Sequence, residues 1–388
     1  MKILRVITRL NIGGPAIQAI DLSIGLNVKY GHETVLVYGI PEEGEVEIDK
    51  KNELKENNIK SIFIPTLKRG INLFDDLKSF LSIRIIIKEE KPDIIHSHMT
   101  KAGTLTRLAA LTLWNRPKLV HTFHGTVLDG YFGTWRTWLI KCVEGYLAKQ
   151  TDILITISNQ QKDNICNKHK IVCQSKVRVV PLGFDLSKIG ERPGSSNDGF
   201  VDIGIIGRLA EVKNHKLFIE FFSQLKESLA DRTLGCCGFI IGDGTDKYMK
   251  ELQYTAKAYP ILFSGYIDHS EILKLYSTLD LVVCTSINEG TPVSLIEAMA
   301  AKVLVASTKV GGVEGLIGFE NNPRGLYIDP DNLYDSVDRI ADYLVNPYKY
   351  KQITNRAYDY VQKEHLLDEL LVNIYGVYYK LMTNDMGN

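Results

Sequence analysis

Short runs of apolar, mostly β-branched residues alternate along this chain with longer segments of helical periodicity. Most of these runs show no polar–apolar alternation, so helices are expected to cover both faces of each strand. Strands that alternate with helices in this way form parallel sheets, because each helical crossover returns the chain to the same end of the sheet. The runs in the first half of the chain lie at residues 3–8, 34–38, 61–65, 94–98, 118–122, 153–157 and 177–180.

A break in the alternation divides the chain into two predicted domains. Residues 191–199 are rich in turn formers and carry no periodicity. We predict an α/β protein with an N-terminal domain of residues 1–182 and a C-terminal domain of residues 183–365, each a doubly wound parallel sheet. The apolar period of the tail predicts a helix over 366–388. We expect this helix to cross back to the first domain, although periodicity alone does not prove the crossing. The runs of the second domain lie at residues 201–206, 238–241, 261–263, 281–284 and 303–307.

Composition narrows the range of ligands and locations. The 46 basic and 46 acidic residues balance, which argues against nucleic acid as the main ligand. Arg5 interrupts the first apolar run, so the N-terminus is interpreted as a strand rather than a signal peptide. No run approaches the roughly 20 apolar residues that span a bilayer. The six scattered cysteines favour reduced thiols without a zinc site. We therefore expect a cytoplasmic protein, soluble or peripheral at the inner face of the membrane.

The segment Glu-Gly-Thr-Pro-Val-Ser-Leu-Ile-Glu-Ala-Met-Ala, residues 289–300, is the most informative about chemistry. It follows a predicted strand and opens a helix, with Pro292 suited to the first turn. Unpaired N–H groups and the helix dipole make such a position an anion site. Glu289 lies in the loop beside the anion. Glu297 lies on the helix, where its carboxylate can accept both hydroxyls of a ribose, although taken alone it would be interpreted as an exposed helix residue.

Together with five further segments in the same order, this motif resembles the family-four glycosyltransferases of GT-B fold over nearly the whole chain. The resemblance implies two Rossmann-like domains facing a central cleft, with the acceptor bound by the first and a nucleotide sugar by the second. It also implies a retaining transfer. The further segments are Gly13-Gly14, His96-Ser97-His98 with Lys101-Ala102-Gly103, His124-Gly125, Gly207-Arg208-Leu209 with Lys213, and Gly311-Gly312-Val313.

Site residues follow from these matches and from their places at predicted strand ends. Arg208 and Lys213 bracket a strand-to-helix connection and can face the Glu289 loop, although either alone would be interpreted as a solvated cation. Gly13 and Gly14 let backbone approach a ligand, or form only a tight turn. The predicted catalytic residues are His124, Arg208, Lys213 and Glu289. The predicted donor and nucleotide contacts are Gly13, Gly14, Gly207, Tyr266, Gly290, Thr291, Val293 and Glu297, and the acceptor contacts are His98 and Lys101.

The phosphate loop departs from many relatives, which have aromatic and glycine residues where Thr291-Pro292-Val293 stands. Pro292 has no N–H to donate, so phosphate contacts are expected from Thr291 and from the amide of Val293. Relatives with Asn-Glu-Gly-Thr-Pro usually use UDP sugars, and the resemblance implies a UDP-linked donor. It also implies a glycan or polyprenyl-diphosphate-linked acceptor in cell-surface polysaccharide synthesis, with a small soluble acceptor left open.

No cofactor or metal is expected. Asp329-Pro330-Asp331 is interpreted as a turn, and Asp243 and Asp246 lack a third ligand nearby, so Arg208 and Lys213 are expected to stabilise the leaving diphosphate instead. Gly242-x-Gly244 lacks the third glycine of a dinucleotide fingerprint. The alternatives to a transferase are a sugar-nucleotide epimerase of similar fold, a pyridoxal-dependent phosphorylase, and a non-catalytic nucleotide-sugar binder.

The three tryptophans all lie in the first predicted domain. Residues 131–138 mix aromatic side chains with Arg136, and Lys141 follows soon after. Amphipathic aromatic residues beside cations suit a bilayer interface. Packing of Trp114, Trp135 and Trp138 in the domain core, or at the acceptor cleft, is the alternative.

Overall fold

The computed structural model describes residues 1–11, 13–42, 45, 47–48, 50–125, 134–192, 199–319 and 321–383. The chain divides into two compact units, which we call unit 1 and unit 2. Unit 1 is Met1–Phe184 with Leu367–Asn388, and unit 2 is Asp185–Leu366. The boundaries predicted from the sequence lie within two residues of these. No helix of the described ranges is long and apolar enough to cross a membrane.

Unit 1 contains a seven-stranded parallel sheet in the order β3-β2-β1-β4-β5-β6-β7. Its central strands are buried along nearly their whole length, which explains why they are apolar without alternation. The strands are β1 Lys2–Ile7, β2 Glu33–Tyr38, β3 Lys60–Phe63, β4 Ile94–His98, β5 Lys118–Phe123, β6 Ile153–Thr156 and β7 Val177–Val179.

Helices connect these strands. Helix α3 begins where the side chain of Asn72 accepts hydrogen bonds from the backbone N–H groups of Phe74 and Asp75, so its first turn is capped. The helices of this part of the chain are α1 Gly14–Tyr30, α2 Lys51–Glu56, α3 Leu73–Glu90, α4 Thr100–Leu111, α5 Thr134–Gln150 and α6 Asn159–Asp163.

Unit 2 contains a six-stranded parallel sheet in the order β10-β9-β8-β11-β12-β13. The strands are β8 Phe200–Ile206, β9 Gly235–Ile241, β10 Ile261–Gly265, β11 Leu281–Cys284, β12 Leu304–Thr308 and β13 Leu326–Ile328. The helices are α7 His215–Ala230, α8 Asp246–Ala256, α9 His269–Leu275, α10 Val293–Ala300, α11 Val313–Ile317, α12 Leu333–Val345 and α13 Pro347–Glu364.

The C-terminal helix, α14 Leu367–Thr383, belongs to unit 1 although it follows unit 2 in sequence. Leu370, Leu371 and Ile374 are buried in one cluster with Ile3 and Leu22. The tail that the apolar period places at 366–388 therefore closes the core of unit 1.

In both sheets the strand order reverses beside the first strand of the unit. The reversal lies between β1 and β4 in unit 1 and between β8 and β11 in unit 2. Connections on the two sides of such a reversal leave the sheet in opposite directions, which opens a crevice at the carboxyl ends of the strands. Most predicted site residues follow the strands at these reversals, whereas His124 follows the neighbouring strand β5 and Tyr266 follows the edge strand β10.

Candidate functional site

In unit 2 the loops after β8 and β11 are bonded to each other. The hydroxyl of Thr285 lies 3.0 Å from the carbonyl oxygens of both Lys213 and Asn214. The backbone N–H of Ile287 donates to the carbonyl oxygen of Val212 over 2.8 Å. These bonds hold the Glu289 loop against the short helical turn Glu211–Lys213, so the two predicted motifs of this crevice come together.

Lys213 and Glu289 form an ion pair at this point. The ammonium of Lys213 lies 2.5 Å from Oε1 of Glu289, and the hydroxyl of Ser286 donates to the same oxygen over 2.6 Å. Burial is the largest influence and opposes the charged form of Lys213, but the charge and hydrogen bond of Glu289 together with Cys284 outweigh it, and the pKa of Lys213 is raised. Lys213 therefore keeps its positive charge, and its side chain remains partly exposed.

The loop after β12 packs against the backbone of the Glu289 loop. Gly311 has a φ of +52°, and a Cβ there would lie 1.6 Å from the carbonyl oxygen of Glu289. The N–H of Gly312 donates to the carbonyl oxygen of Gly290 over 2.7 Å. The Gly311-Gly312 motif thus lets two backbones meet, and any side chain at Gly311 would displace the loop that carries Glu289.

A second close approach of backbones lies beside Arg208. The φ of Gly242 is +142°, and a Cβ there would lie 2.1 Å from the carbonyl oxygen of Gly207. The N–H of Leu209 donates to the carbonyl oxygen of Asp243 over 2.8 Å. Gly242 therefore serves to pack the loop after β9 against the loop of Arg208, whose side chain is exposed.

Glu297 is buried and both of its carboxylate oxygens already have protein partners. The hydroxyl of Tyr276 donates to Oε2 over 2.7 Å, and Nε2 of His269 lies 2.7 Å from Oε1. Burial and the charge of Glu297 raise the pKa of Tyr276 well above its usual value, so Tyr276 stays a donor. A carboxylate offers about four lone-pair positions, so it retains capacity for two further hydroxyls.

The start of α10 has the groups expected of an anion site. The first residue of α10 is Val293, and Pro292 precedes it with a φ of −69°. The hydroxyl oxygen of Thr291 is buried and has no hydrogen-bond partner among the described residues. Tyr266, which follows β10, is about half exposed. Thr291 and Tyr266 therefore keep the capacity to contact a ligand.

In unit 1 the ends of β4 and β5 bring histidines together. The register pairs His98, the last residue of β4, with Thr122 of β5. His124 follows two residues after Thr122, so it lies just beyond the same end of the sheet. Nδ1 of His98 lies 2.9 Å from Nε2 of His124, and their rings are stacked. His98 itself has no exposed surface. The prediction that His98 contacts the acceptor does not fit this arrangement, because His98 is a central-strand residue whose Nδ1 is taken up by His124.

Arg5 is fully buried beside these histidines. Its guanidinium contacts His96, His98, Ser23 and, at 3.4 Å, the hydroxyl of Tyr378 on α14. This contact was not predicted from the sequence, where Arg5 served only as an argument against a signal peptide. The signal that pointed to it was a lone cation within an apolar strand predicted to be covered on both faces.

Three other predicted residues of unit 1 lie near the same edge. The ammonium of Lys101 is mostly buried, 2.5 Å from the carboxylate of Asp76 and 3.0 Å from the carbonyl oxygen of Gly70. An acceptor would therefore meet Lys101 as a member of an ion pair. Gly13 precedes α1 with an extended φ of −179°, and Gly14 is the first residue of that helix. Gly13 forms no left-handed turn, so the backbone does not require glycine there.

The predicted aromatic segment lies partly outside the described residues, which omit 131–133 and the side chain of Arg136. Trp135 and Trp138 are 65% and 66% exposed on α5, and Trp114 is fully exposed after α4. The alternative in which these rings pack in the core of unit 1 is therefore wrong. Within the described part of the chain, no three His, Cys, Asp or Glu side chains are grouped to hold a metal ion.

Two family models match successive parts of the chain and together span most of it. Residues 12–188 match the model described as Glycosyltransferase Family 4, and residues 191–360 match the model described as Glycosyl transferases group 1. The chain belongs to glycosyltransferase family four. Its two parallel-sheet Rossmann-like units have the GT-B fold that the resemblance implied.

Relatives of this glycosyltransferase include enzymes of bacterial polysaccharide assembly. The chain is 29% identical over 307 residues to the UDP-Gal:alpha-D-GlcNAc-diphosphoundecaprenol alpha-1,3-galactosyltransferase of Escherichia coli, covering 74% of this chain and 76% of that one. It is 28% identical to a capsular polysaccharide biosynthesis glycosyltransferase of Staphylococcus aureus, covering 69% and 73%. The crystal structure of Anabaena HepE with UDP and glucose superimposes with a TM-score of 0.76 at 17% identity, covering 98% and 100%, which shows the shared fold.

Sequence reasoning missed three residues around the candidate donor site of the glycosyltransferase. Ser286 bonds Glu289, while Tyr276 and His269 bond Glu297. A polar Thr-Ser pair directly after β11 was a usable signal for Ser286. His269 is the first residue of α9, but nothing local in the sequence paired it or Tyr276 with Glu297.

Proposed function

We propose that this glycosyltransferase transfers a sugar, with retention of configuration, from a UDP-linked donor to a glycan or polyprenyl-diphosphate-linked acceptor in cell-surface polysaccharide synthesis. The observation that carries the proposal is the charged pair of Lys213 and Glu289 at the loop that opens α10. The names of two similar proteins support the choice of donor and acceptor. The Escherichia coli relative is named for UDP-Gal and a diphosphoundecaprenol-linked acceptor, and HepE was crystallised with UDP and glucose.

The leaving diphosphate is stabilised by fixed cations in this proposal, without a metal ion. The bond from the anomeric carbon to the phosphate oxygen breaks, and the acceptor oxygen bonds to that carbon on the same face. The acceptor proton passes to the departing phosphate oxygen. Charge builds on that oxygen as the bond breaks, so a protonated Lys213 and the fork of Arg208 stabilise the transition state more than the ground state.

Lys213 is suited to this role because its pKa is raised rather than lowered. The positive charge of Arg208 acts against the protonated form of Lys213, so the two cations lie close enough to influence each other. Glu289 counters that repulsion before substrate arrives. When a diphosphate binds, it supplies negative charge of its own, and Glu289 is then available to contact the hydroxyls of the transferred sugar.

The nucleotide is assigned to the remaining groups of unit 2. The N–H groups at the start of α10 and the hydroxyl of Thr291 contact the phosphates, with Gly290 giving access to the backbone. Glu297 takes the ribose hydroxyls with its remaining lone pairs, held in place by Tyr276. These assignments place the base toward Tyr266, whose exposed ring suits stacking.

A lipid-linked acceptor requires access to a membrane surface, and α5 has a suitable face. Trp135, Trp138, Leu139, Val143 and Tyr146 are exposed at the spacing of one helical stripe. Lys141 lies in the same helix. Exposed apolar and aromatic side chains suit a bilayer interface, and we assign α5 to peripheral contact with the inner face of the membrane.

Donor binding and metal dependence test the proposal directly. Calorimetry with UDP, ADP and GDP should give the tightest binding for UDP. Hydrolysis of UDP-galactose and UDP-glucose should then be measured with excess chelator, so that no acceptor need be known. Activity that survives the chelator supports the mechanism, whereas activity that is abolished and restored by magnesium or manganese contradicts it. Tightest binding of ADP or GDP would refute the assignment of the donor base.

A further inference from the structure

We propose that Arg5 fixes the tautomer of His124 through His98, so that His124 offers its Nδ1–H as a hydrogen-bond donor and has no lone pair free to act as a base. The inference rests on the proposed function only for the identity of the ligand that His124 meets. The tautomer itself follows from the contacts within unit 1.

The hydrogen bonds that Arg5 makes to the two histidine rings can run in one direction only. Nη1 of Arg5 lies 3.0 Å from Nε2 of His98 and 3.1 Å from Nδ1 of His96. A guanidinium has only donors, so each of these ring nitrogens must accept. A protonated imidazole cannot accept at either nitrogen, so both histidines are neutral. His98 therefore carries its one proton on Nδ1.

The proton on Nδ1 of His98 determines the tautomer of His124. Nδ1 of His98 is a donor, and it lies 2.9 Å from Nε2 of His124. Nε2 of His124 must accept this bond, which leaves the proton of neutral His124 on Nδ1. That Nδ1 atom is buried and has no hydrogen-bond partner among the described residues. A buried donor without a partner costs free energy, which is recovered when a ligand supplies an acceptor.

The remaining hydrogen bonds agree with this assignment of protons. His96 accepts at Nδ1, so its proton lies on Nε2, which is 2.7 Å from the hydroxyl of Thr122. The hydroxyl of Tyr378 lies 3.4 Å from Arg5 and 2.5 Å from Nδ1 of His96, so it shares the single lone pair of that nitrogen with Arg5. Ser23 accepts from Nε of Arg5 and donates to the carbonyl oxygen of Ala19. This sharing at His96 does not affect His124, because Nε2 of His98 accepts from Arg5 and Nδ1 of His98 faces His124.

Arg5 has no carboxylate partner among the described residues, and its guanidinium bonds only to neutral side chains there. Arg107 of the same unit is equally buried, but it is paired with the carboxylate of Glu144 at 2.9 Å. Burial lowers the pKa of His96 and His98 well below the usual value, and the charge of Arg5 lowers it further. Burial lowers the pKa of His124 to about 3. All three rings are therefore neutral near pH 7, as the hydrogen bonds require.

The chemical consequence concerns what His124 can do for the substrate. Its Nδ1–H can donate to an uncharged oxygen, and we assign it to a hydroxyl oxygen of the transferred sugar. It cannot remove the acceptor proton, because its only lone pair is held by His98. Arg5 is a positioning residue that acts through two histidine rings rather than by touching the substrate.

The test is a long-range ¹H–¹⁵N correlation spectrum of the full chain labelled at histidine, which distinguishes the two neutral tautomers of each ring. The signals of His124 are assigned by their absence in His124→Gln. In the unmutated protein His124 should be entirely in the Nδ1–H form. The Nε2–H form, or an equal mixture, would overturn the proposal, and this measurement does not require any variant of Arg5 to fold.

Two variants then separate Arg5 from the rest of the cluster. Arg5→Met should convert His124 to a mixture of tautomers and reduce UDP-sugar hydrolysis at least tenfold in kcat with little change in the Kd of UDP. Tyr378→Phe removes a hydroxyl from the same cluster but leaves the bonds from Arg5 to His98, so it should keep the Nδ1–H form. An unchanged tautomer in Arg5→Met would refute the role of Arg5. Failure of UDP to bind would refute the proposed function and leave the spectrum unaffected.

Discussion

The two units surround a cation in opposite ways. In unit 1 the guanidinium of Arg5 is fully buried among neutral side chains, and it forms no ion pair with a described residue. In unit 2 the ammonium of Lys213 is partly exposed and paired with Glu289. The first arrangement keeps its neighbours neutral and fixes the direction of their hydrogen bonds. The second keeps the cation charged and within reach of an incoming anion.

This difference follows from the chemistry of the two side chains. Arginine stays protonated under all ordinary conditions, so burying it forces surrounding groups to adapt. Lysine loses its proton readily when buried, so a lysine that must stay charged needs a carboxylate nearby. A buried arginine therefore suits the fixing of tautomers, and a paired lysine suits the binding of a leaving group.

The largest effect expected of this comparison is on stability in acid. In unit 1 the pKa values of His96, His98, His121 and His124 are all lowered, chiefly by burial. Histidines of the unfolded chain take up protons below about pH 6.5, whereas these stay neutral in the folded unit. The unfolded state then binds more protons, so stability falls as pH falls, by about 1.4 kcal/mol per pH unit for each such histidine.

Hydrogen exchange measured by mass spectrometry at pH 7 and pH 4.5, corrected for intrinsic rates, checks this prediction. Peptides from β4 and β5 should lose protection before peptides from β8 and β11, because His96, His98 and His121, whose pKa values are all lowered, lie in those two strands of unit 1. Loss of protection in unit 2 first, or in both units at one pH, would contradict it. Urea unfolding at pH 7 provides the reference stability of each unit.

The next effect concerns the charge of the leaving group. Lys213→Met or Arg208→Ala should lower turnover of the UDP sugar by roughly a hundredfold or more, because one electrostatic contact to the developing charge is lost. The affinity for UDP should change only modestly. Lys216→Met is the matched control, since Lys216 is an exposed lysine three residues further on and pairs with Glu251. Equal losses at Lys213 and Lys216 would refute the role of Lys213.

A smaller effect is expected at Glu297, the other carboxylate of unit 2. Glu297→Gln keeps an oxygen for the hydroxyl of Tyr276 but loses the charge, so the Kd of UDP should rise about tenfold. The same change should raise the Kd of 2′-deoxy-UDP by less, since that nucleotide has already lost one of the two ribose hydroxyls that Glu297 would bind. Calorimetry with the two nucleotides measures both values. Equal affinity of the unmutated protein for both would contradict ribose binding by Glu297.

The smallest effect is expected at the exposed face of α5. Trp135→Ser with Trp138→Ser should weaken binding to vesicles that contain anionic lipid by about threefold to tenfold, because apolar area that enters the interface is lost. Tyr254→Ser removes a comparably exposed aromatic ring from unit 2 and is the control. Cosedimentation with vesicles measures the binding. Unchanged binding of the double variant would show that α5 has no membrane role.

The order of strands and helices could be predicted from the sequence alone. A central strand of a parallel sheet is covered on both faces, so its sequence is a short apolar run. Such runs predicted strands near those observed as β1, β8 and β11. The Glu289 loop could also be predicted, because a strand followed by a helix start is a local pattern. Lys213 could be assigned to the same crevice because it follows a predicted strand.

Which side chains meet was decided by the tertiary structure. Arg5 and His98 are 93 residues apart, and Arg5 and Tyr378 are 373 apart, so no local pattern links them. They meet because β4 crosses over to pair with β1 and because α14 returns from unit 2 to unit 1. The burial of His98, the partners of Glu297 and the support of Glu289 by Gly311 depend likewise on contacts between distant segments. Local periodicity encodes which face of an element is covered, whereas the covering residue is set only when the strands take their order in the sheet.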